Sequence, residues 1–130
     1  MAYTTIDNPE LYFQTKTYTG DGNATQAITL DGDENMQPDL VWIKSRGATQ
    51  SHILVDAVRG TNKYLGSNHT GAEGTDIDSV TAFGSNGFTV GDDASVNQSS
   101  TNLVAWCWKE SADAGFDIVT FTGNGSARTI

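Results

Sequence analysis

Leu103-Val104-Ala105-Trp106-Cys107-Trp108-Lys109-Glu110 carries the fold of this chain in eight residues. With the two-residue period that a strand imposes, Val104, Trp106 and Trp108 point one way while Leu103, Ala105 and Cys107 point the other. Both faces are apolar. A half-exposed strand alternates with polar residues, so the pattern predicts a central strand covered on both sides, with two of the chain's three tryptophans anchoring one layer.

The segments upstream of this stretch have the same character. Leu11 to Thr19 is rich in aromatic and threonine residues and stops at Gly20-Asp21-Gly22, a turn signal. Ala24 to Leu30 reads as a second strand ending at Asp31-Gly32-Asp33, and the two are expected to form a hairpin. Leu40-Val41-Trp42-Ile43-Lys44 is short and mostly apolar, which suits a strand inside a sheet. Ser51 to Val58 is compatible with a helix, but its β-branched residues and the stop at Gly60 favour a strand. Lys63-Tyr64-Leu65 is a brief edge strand. Val80 to Phe83 and Phe88 to Val90 flank Gly84-Ser85-Asn86-Gly87, a strong local hairpin signal. Phe116 to Phe121 is a last alternating segment. Two polar stretches, Ser67 to Asp78 and Gly91 to Asn102, read as surface loops of the kind that carry contacts. No segment carries a sustained helical stripe. The expectation is an all-β chain: an antiparallel β-sandwich, jelly-roll-like, of about eight short strands.

At 130 residues the chain has the size of one domain. Fourteen glycines against two prolines, with only 37% hydrophobic residues, agree with many turns and strand surfaces. Residues 1–10 read as a polar, proline-interrupted arm, residues 11–110 as the β-sandwich module, and residues 111–130 as a linker with a further strand. Thr17-Tyr18-Thr19-Gly20-Asp21-Gly22-Asn23-Ala24 is echoed by Thr120-Phe121-Thr122-Gly123-Asn124-Gly125-Ser126-Ala127. Two explanations stand side by side. The tail is either the opening hairpin of a second, incomplete module, or a strand that pairs with the first strand or with a neighbouring subunit.

Charge and chemistry narrow the function classes. A formal net charge of −9 repels a phosphate backbone, so nucleic acid and anionic membranes are poor partners. The first residues lack the basic and apolar regions of a signal peptide, and no run approaches the ~20 apolar residues of a membrane span, so synthesis in a cytoplasm without membrane insertion is expected. Gly20-Asp21-Gly22 has no following helix to hold a phosphate and reads as a turn. Asp31-Gly32-Asp33-Glu34-Asn35 begins like a calcium loop but has Met36 where the sharp-turn glycine belongs, and it reads as a solvated acidic turn, as does Gly91-Asp92-Asp93. His52 and His69 lack partners at metal spacing. Cys107, the single cysteine, lies between two tryptophans and reads as a buried structural thiol, not a nucleophile. Asn23, Asn68, Asn97 and Asn124 open chance matches to the glycosylation tripeptide. Trp42, near Lys44 and Arg46, either stacks on a sugar from an exposed sheet face or packs in the second layer of the sandwich. The expected catalytic, cofactor-binding and metal-ligating sets are therefore all none.

The series Tyr12-Phe13-Gln14-Thr15, Tyr18-Thr19-Gly20, Gln37-Pro38-Asp39-Leu40-Val41-Trp42-Ile43-Lys44, Val58-Arg59-Gly60, Tyr64-Leu65, Gly87-Phe88-Thr89-Val90-Gly91 and Val104-Ala105-Trp106-Cys107-Trp108-Lys109 resembles modules of large, repetitive structural proteins of marine bacteriophages. The resemblance implies a non-enzymatic virion component: a capsid decoration, knob or tail-fibre-like protein. Implied partners are other virion proteins of capsid or tail, in a homo-oligomer or in many copies, with a host-surface glycan as a further candidate. A carbohydrate-binding, lectin-like host-recognition module on the same framework is the alternative, using residues 67–78 and 91–102 around an aromatic platform.

Overall fold

The computed structural model describes residues 6–130. Its strands are β1 (Phe13–Thr19), β2 (Gln26–Thr29), β3 (Leu40–Ser45), β4 (Ile53–Asp56), β5 (Lys63–Leu65), β6 (Gly74–Thr75), β7 (Val80–Gly84), β8 (Gly87–Val90) and β9 (Asn102–Trp108), with a single-turn helix α1 (Ala94–Asn97). All pairings are antiparallel, in a six-stranded sheet of order β1-β9-β3-β4-β5-β6 and a three-stranded sheet of order β2-β8-β7. The architecture is the expected all-β sandwich, with sheets of unequal width.

The core follows from alternation. Leu103, Ala105 and Cys107 of β9, Val41 and Ile43 of β3, and Ile53 and Val55 of β4 turn inward and meet Ile28, Val80, Phe88 and Val90 of the small sheet. Met36 and Val96, supplied by loop and helix, close the layer between the sheets. Tyr18 packs edge-on against Phe88 at 6.3 Å and donates its hydroxyl to the Val96 carbonyl at 2.7 Å. The Gly84–Gly87 hairpin forms where the sequence placed it. Gly87 takes φ +125°, and a Cβ there would lie 2.0 Å from the Ile28 carbonyl oxygen, so glycine is required.

Four expectations are corrected. The tryptophan strand is central, between β1 and β3, but it is covered on one face only: three strands cannot roof six, and Val104, Trp106 and Trp108 remain half-buried on the outside. β1 and β2 are not a hairpin, because β1 pairs with β9 and β2 with β8. The Gly20–Asn23 turn is instead an arch between sheets. Its N–H groups at Asp21 and Gly22 donate to the Asn97 side-chain oxygen at 2.8 and 3.3 Å, and Gly20 pairs with Thr101 and Ser100. Residues 116–121 form no strand: both edges of β9 are already taken, and the segment's backbone pairing among the described residues is an isolated bridge, Ser111 to Phe116. Ser51 to Val58 shortens to Ile53–Asp56.

Residues 1–5 of the expected arm lie outside the described residues. Its end is not extended: Pro9–Leu11 is a 3-10 turn capped by the Asn8 side chain, which accepts from Glu10 N at 3.0 Å. Gly74–Thr75 places a short strand inside the stretch expected to be loop from 67 to 78, and α1 does the same in the stretch from 91 to 102.

Candidate functional site

The outer face of the large sheet collects Phe13 and all three tryptophans. Register does this. Trp42 stands opposite Trp106, and Phe13 opposite Trp108, so residues far apart in sequence become cross-strand neighbours. The Trp42 and Trp106 rings lie 5.6 Å apart at 57°, and Phe13 and Trp108 5.1 Å apart at 50°. Phe116, returning from beyond the sheet, stacks on Trp108 at 6.3 Å and 26°. Trp42, Trp106 and Trp108 line a shallow depression of about 210 Å³.

Polar groups fix the rim. The Trp42 indole N–H donates to His52 Nδ1 at 3.0 Å, which assigns the His52 proton to Nε2. His52 N in turn donates to the Asn68 side-chain oxygen at 3.0 Å, tying the loop that begins at Ser67 to the tryptophan cluster. Lys44 Nζ is committed to the carbonyls of Ser45 and Gln50 at 2.8 and 3.0 Å. Thr15 and Thr17 of β1 continue the face beside Trp106 and Val104. The arrangement is a mostly apolar platform with one rim cation, Lys44. It offers surface for stacking and contains no nucleophile with a base beside it.

The other residues singled out in the sequence are structural. Cys107 points into the core without exposed surface, and burial pushes its thiol up to about 12. Burial likewise raises the Tyr18 phenol well above its ordinary value. Asp31 is held below the usual carboxylate range by its hydrogen bond from Lys16, 2.8 Å away, which is also an ion pair. Asp21 is lowered chiefly by the Asn23 backbone N–H, which donates to it at 2.8 Å in an Asx turn. Asp93 caps α1 through Ser95 N at 2.9 Å. His69 accepts from Gly71 N at 3.0 Å, in its own loop and apart from the platform. Among the described residues, no group of three or more His, Cys, Asp or Glu side chains could hold a metal ion.

Trp42 resolves to the exposed-face alternative, so it does not sit between the sheets. Of the two expected contact loops, only the one from Ser67 reaches the platform, through Asn68. The stretch from Gly91 to Asn102 is taken up by Asn97, a buried amide that sequence reasoning passed over as a chance tripeptide. Its Nδ2 donates to the carbonyls of Gly91 and Asn23 at 2.8 and 3.0 Å and to Asp21 Oδ1 at 3.2 Å. Also missed was the pair of Asp56, 3% exposed, with Arg59, whose Nε donates to the carboxylate at 2.6 Å. The Asp-x-x-Arg spacing at a strand end was its visible signal.

Residues 8–130 match the model of a family described as a domain of unknown function (DUF7483), and the chain belongs to that family. No curated protein and no solved structure matches it significantly.

Proposed function

We propose that this DUF7483 chain is a non-enzymatic structural component of a bacteriophage virion, present in many copies as a capsid decoration, knob or tail-fibre-like protein. The observation that carries the reading is the tail. Its echo of the β1 region extends to conformation: Gly22 and Gly125 take φ +71° and +74°, and Ser126 N donates to Asn124 Oδ1 at 3.0 Å as Asn23 N does to Asp21 at 2.8 Å. The turn is thus built twice, once at the end of a sheet strand and once after a segment that lies outside any sheet. Such duplication serves assembly, whether residues 111–130 open a second module or pair with another subunit. The sequence resemblance to phage structural modules and the broad aromatic outer face support the same reading. Quantitative mass spectrometry of purified intact particles is the test: the protein is expected at a fixed stoichiometry with the major capsid or tail protein, and recovery only in the soluble lysate would refute it.

A second reading, a carbohydrate-binding host-recognition module, is favoured by the depression between Trp42, Trp106 and Trp108. Half-exposed indole faces stack on the C–H faces of sugar rings, and the depression is lined by the three tryptophans. A glycan array probed with and without chelator, alongside Trp106→Ala, decides it. Loss of a signal on substitution supports the reading, and no signal in either condition removes it.

A further inference from the structure

We propose that the free edge of β1 is the docking site for residues 116–122 of a second copy of the chain, which add there as an antiparallel strand and extend the large sheet by one. This deepens the multi-copy reading above and rests on it.

The edge is open among the described residues. Lys109 N donates to Tyr12 O and Gly20 N to Thr101 O, each at 2.9 Å, bracketing β1 at both ends. Alternation between those points turns the peptide groups of Gln14, Lys16 and Tyr18 toward β9 and those of Phe13, Thr15, Thr17 and Thr19 away from it. Among the described residues no strand pairs with that outer side, and only the Thr19 carbonyl is covered, by Gln26 Nε2 at 2.9 Å. Edge strands are ordinarily protected by proline, bulges or charged side chains, inward-pointing ones included. β1 has an unbroken register and no proline, and its one charge, Lys16, is the single such guard and is already held in an ion pair with Asp31. The opposite edge, β6, is only two residues long. Beside Phe13 and Thr15 runs a groove of about 250 Å³, lined also by Glu10, Gln14, Asp31 and Gly32, which would receive side chains of an added strand.

The tail has the matching features. Phe116, Ile118, Thr120 and Thr122 alternate with Asp117, Val119 and Phe121, and the seven residues equal β1 in length. Val119 and Phe121 are 57% and 62% exposed, and the turn that follows is already formed. In a chain of net charge −9, residues 116–130 carry only Asp117 and Arg128, so self-repulsion is least there. Antiparallel pairing carries Arg128 past the Phe13 end of β1, toward Glu10 and Asp31. The chain's own tail cannot make this pairing. It leaves β9 at the Phe13 end, and starting antiparallel from Thr19 would first need to run back the full length of β1, about 23 Å, through a linker bent by the Ser111–Phe116 bridge. A contact of edge to tail is heterologous, so copies join head to tail in open chains or rings.

Sedimentation velocity and native mass spectrometry of the full chain, up to ~1 mM, test this. A concentration-dependent series of masses is expected. Thr17→Pro removes an outward N–H without touching the β9 ladder, and Phe121→Asp spoils the tail; each alone should remain monomeric. Their equimolar mixture should form dimers, because one retains a good tail and the other a good edge. Native tryptophan emission checks folding, and Thr15→Lys blocks the same edge should Thr17→Pro not fold. Wild-type chain that stays monomeric, either variant associating like wild type, or a mixture that fails to dimerise would overturn the proposal. So would a monomer whose own tail amides are protected from hydrogen exchange. Assembly in solution with absence from particles would instead overturn the virion reading alone.

Discussion

Replacing Asn97 by Asp exchanges one amide nitrogen for oxygen and should be among the most damaging isosteric changes available to this chain. The side chain has no exposed surface, its nitrogen faces the carbonyl oxygens of Gly91 and Asn23 and the carboxylate of Asp21, and its oxygen accepts from Asp21 N and Gly22 N. In the Asn97→Asp variant, an ionised carboxylate would set a buried negative charge against three oxygens. Protonation avoids this at a cost of about 4 kcal/mol at pH 7, three pH units above the ordinary Asp value at about 1.4 kcal/mol each. Only one of the two N–H donors is then replaced, which adds about 1 kcal/mol. The expected loss is therefore about 5 kcal/mol at pH 7, a large share of the stability of a domain this size. Because the introduced carboxyl has a folded-state pKa raised above its unfolded value, the stability tied to its neutral form is present at low pH and lost as pH rises. The gap to wild type should shrink by about 1.4 kcal/mol per unit between pH 7 and pH 5. Urea denaturation followed by tryptophan emission measures it, with Asn97→Ala as the uncharged control. A gap that does not change with pH, or Asp tolerated as well as Ala at pH 7, would refute the assignment of Asn97 as the pin of the Gly20–Asn23 arch.

Arg59→Ala leaves the Asp56 carboxylate buried without its ion pair and should cost about 3–5 kcal/mol, most of it recovered by adding Asp56→Asn; equal thermal midpoints for the single and double variants would count against the pair. Gly87→Ala forces a side chain into φ +125° against the Ile28 carbonyl and should lower stability by about 3 kcal/mol or more, read from the thermal midpoint, whereas Gly115→Ala, at φ +68° in open space, should lose only about 1 kcal/mol. Alkaline unfolding should set in early. Cys107, pushed up to about 12 from 9.0, and Tyr18, also raised, contribute stability that is whole below their unfolded values and declines as pH climbs past about 9. The urea midpoint should fall between pH 8.5 and 10.5, with Cys107→Ala delaying the onset, and a flat profile would contradict the burial of both groups.

What was legible in the sequence was local. The Asn86-Gly87 turn, the two-residue period of Leu103 to Trp108 and the composition of Leu40 to Lys44 each specify a strand or turn from neighbours alone, and all are found. Pairing was not legible, because it depends on partners far along the chain. Gly20-Asp21-Gly22 looks like a hairpin turn, yet it becomes an arch between sheets through Asn97, 76 residues from Asp21. The exposed side of β9 was hidden for the same reason. Trp106 and Trp108 look like core until register sets Thr15 opposite Trp106, and the threonines of β1 show that their shared face is not roofed. A wide sheet beneath a narrow one cannot be read from strand count.

Trp108 joins these points. It stands opposite Phe13 in the β1–β9 register, and it also receives Phe116, which occupies in the tail the place Phe13 holds before the echoed turn. Phe116 is thus seated on the same indole as its β1 counterpart, placed there by its bridge to Ser111 and not by a strand. Ile118 N adds a second tether to Glu110 Oε1 at 3.0 Å. Beyond it the apolar side chains are bare. Phe121 lies beneath the Arg128 guanidinium, 5.1 Å from its ring. A segment anchored at one end and apolar at the other is costly to leave in water, since burying each such side chain is worth about 1.5–3 kcal/mol. The anchor fixes where the strand is offered, and the exposed residues supply the drive for a neighbouring edge to take it.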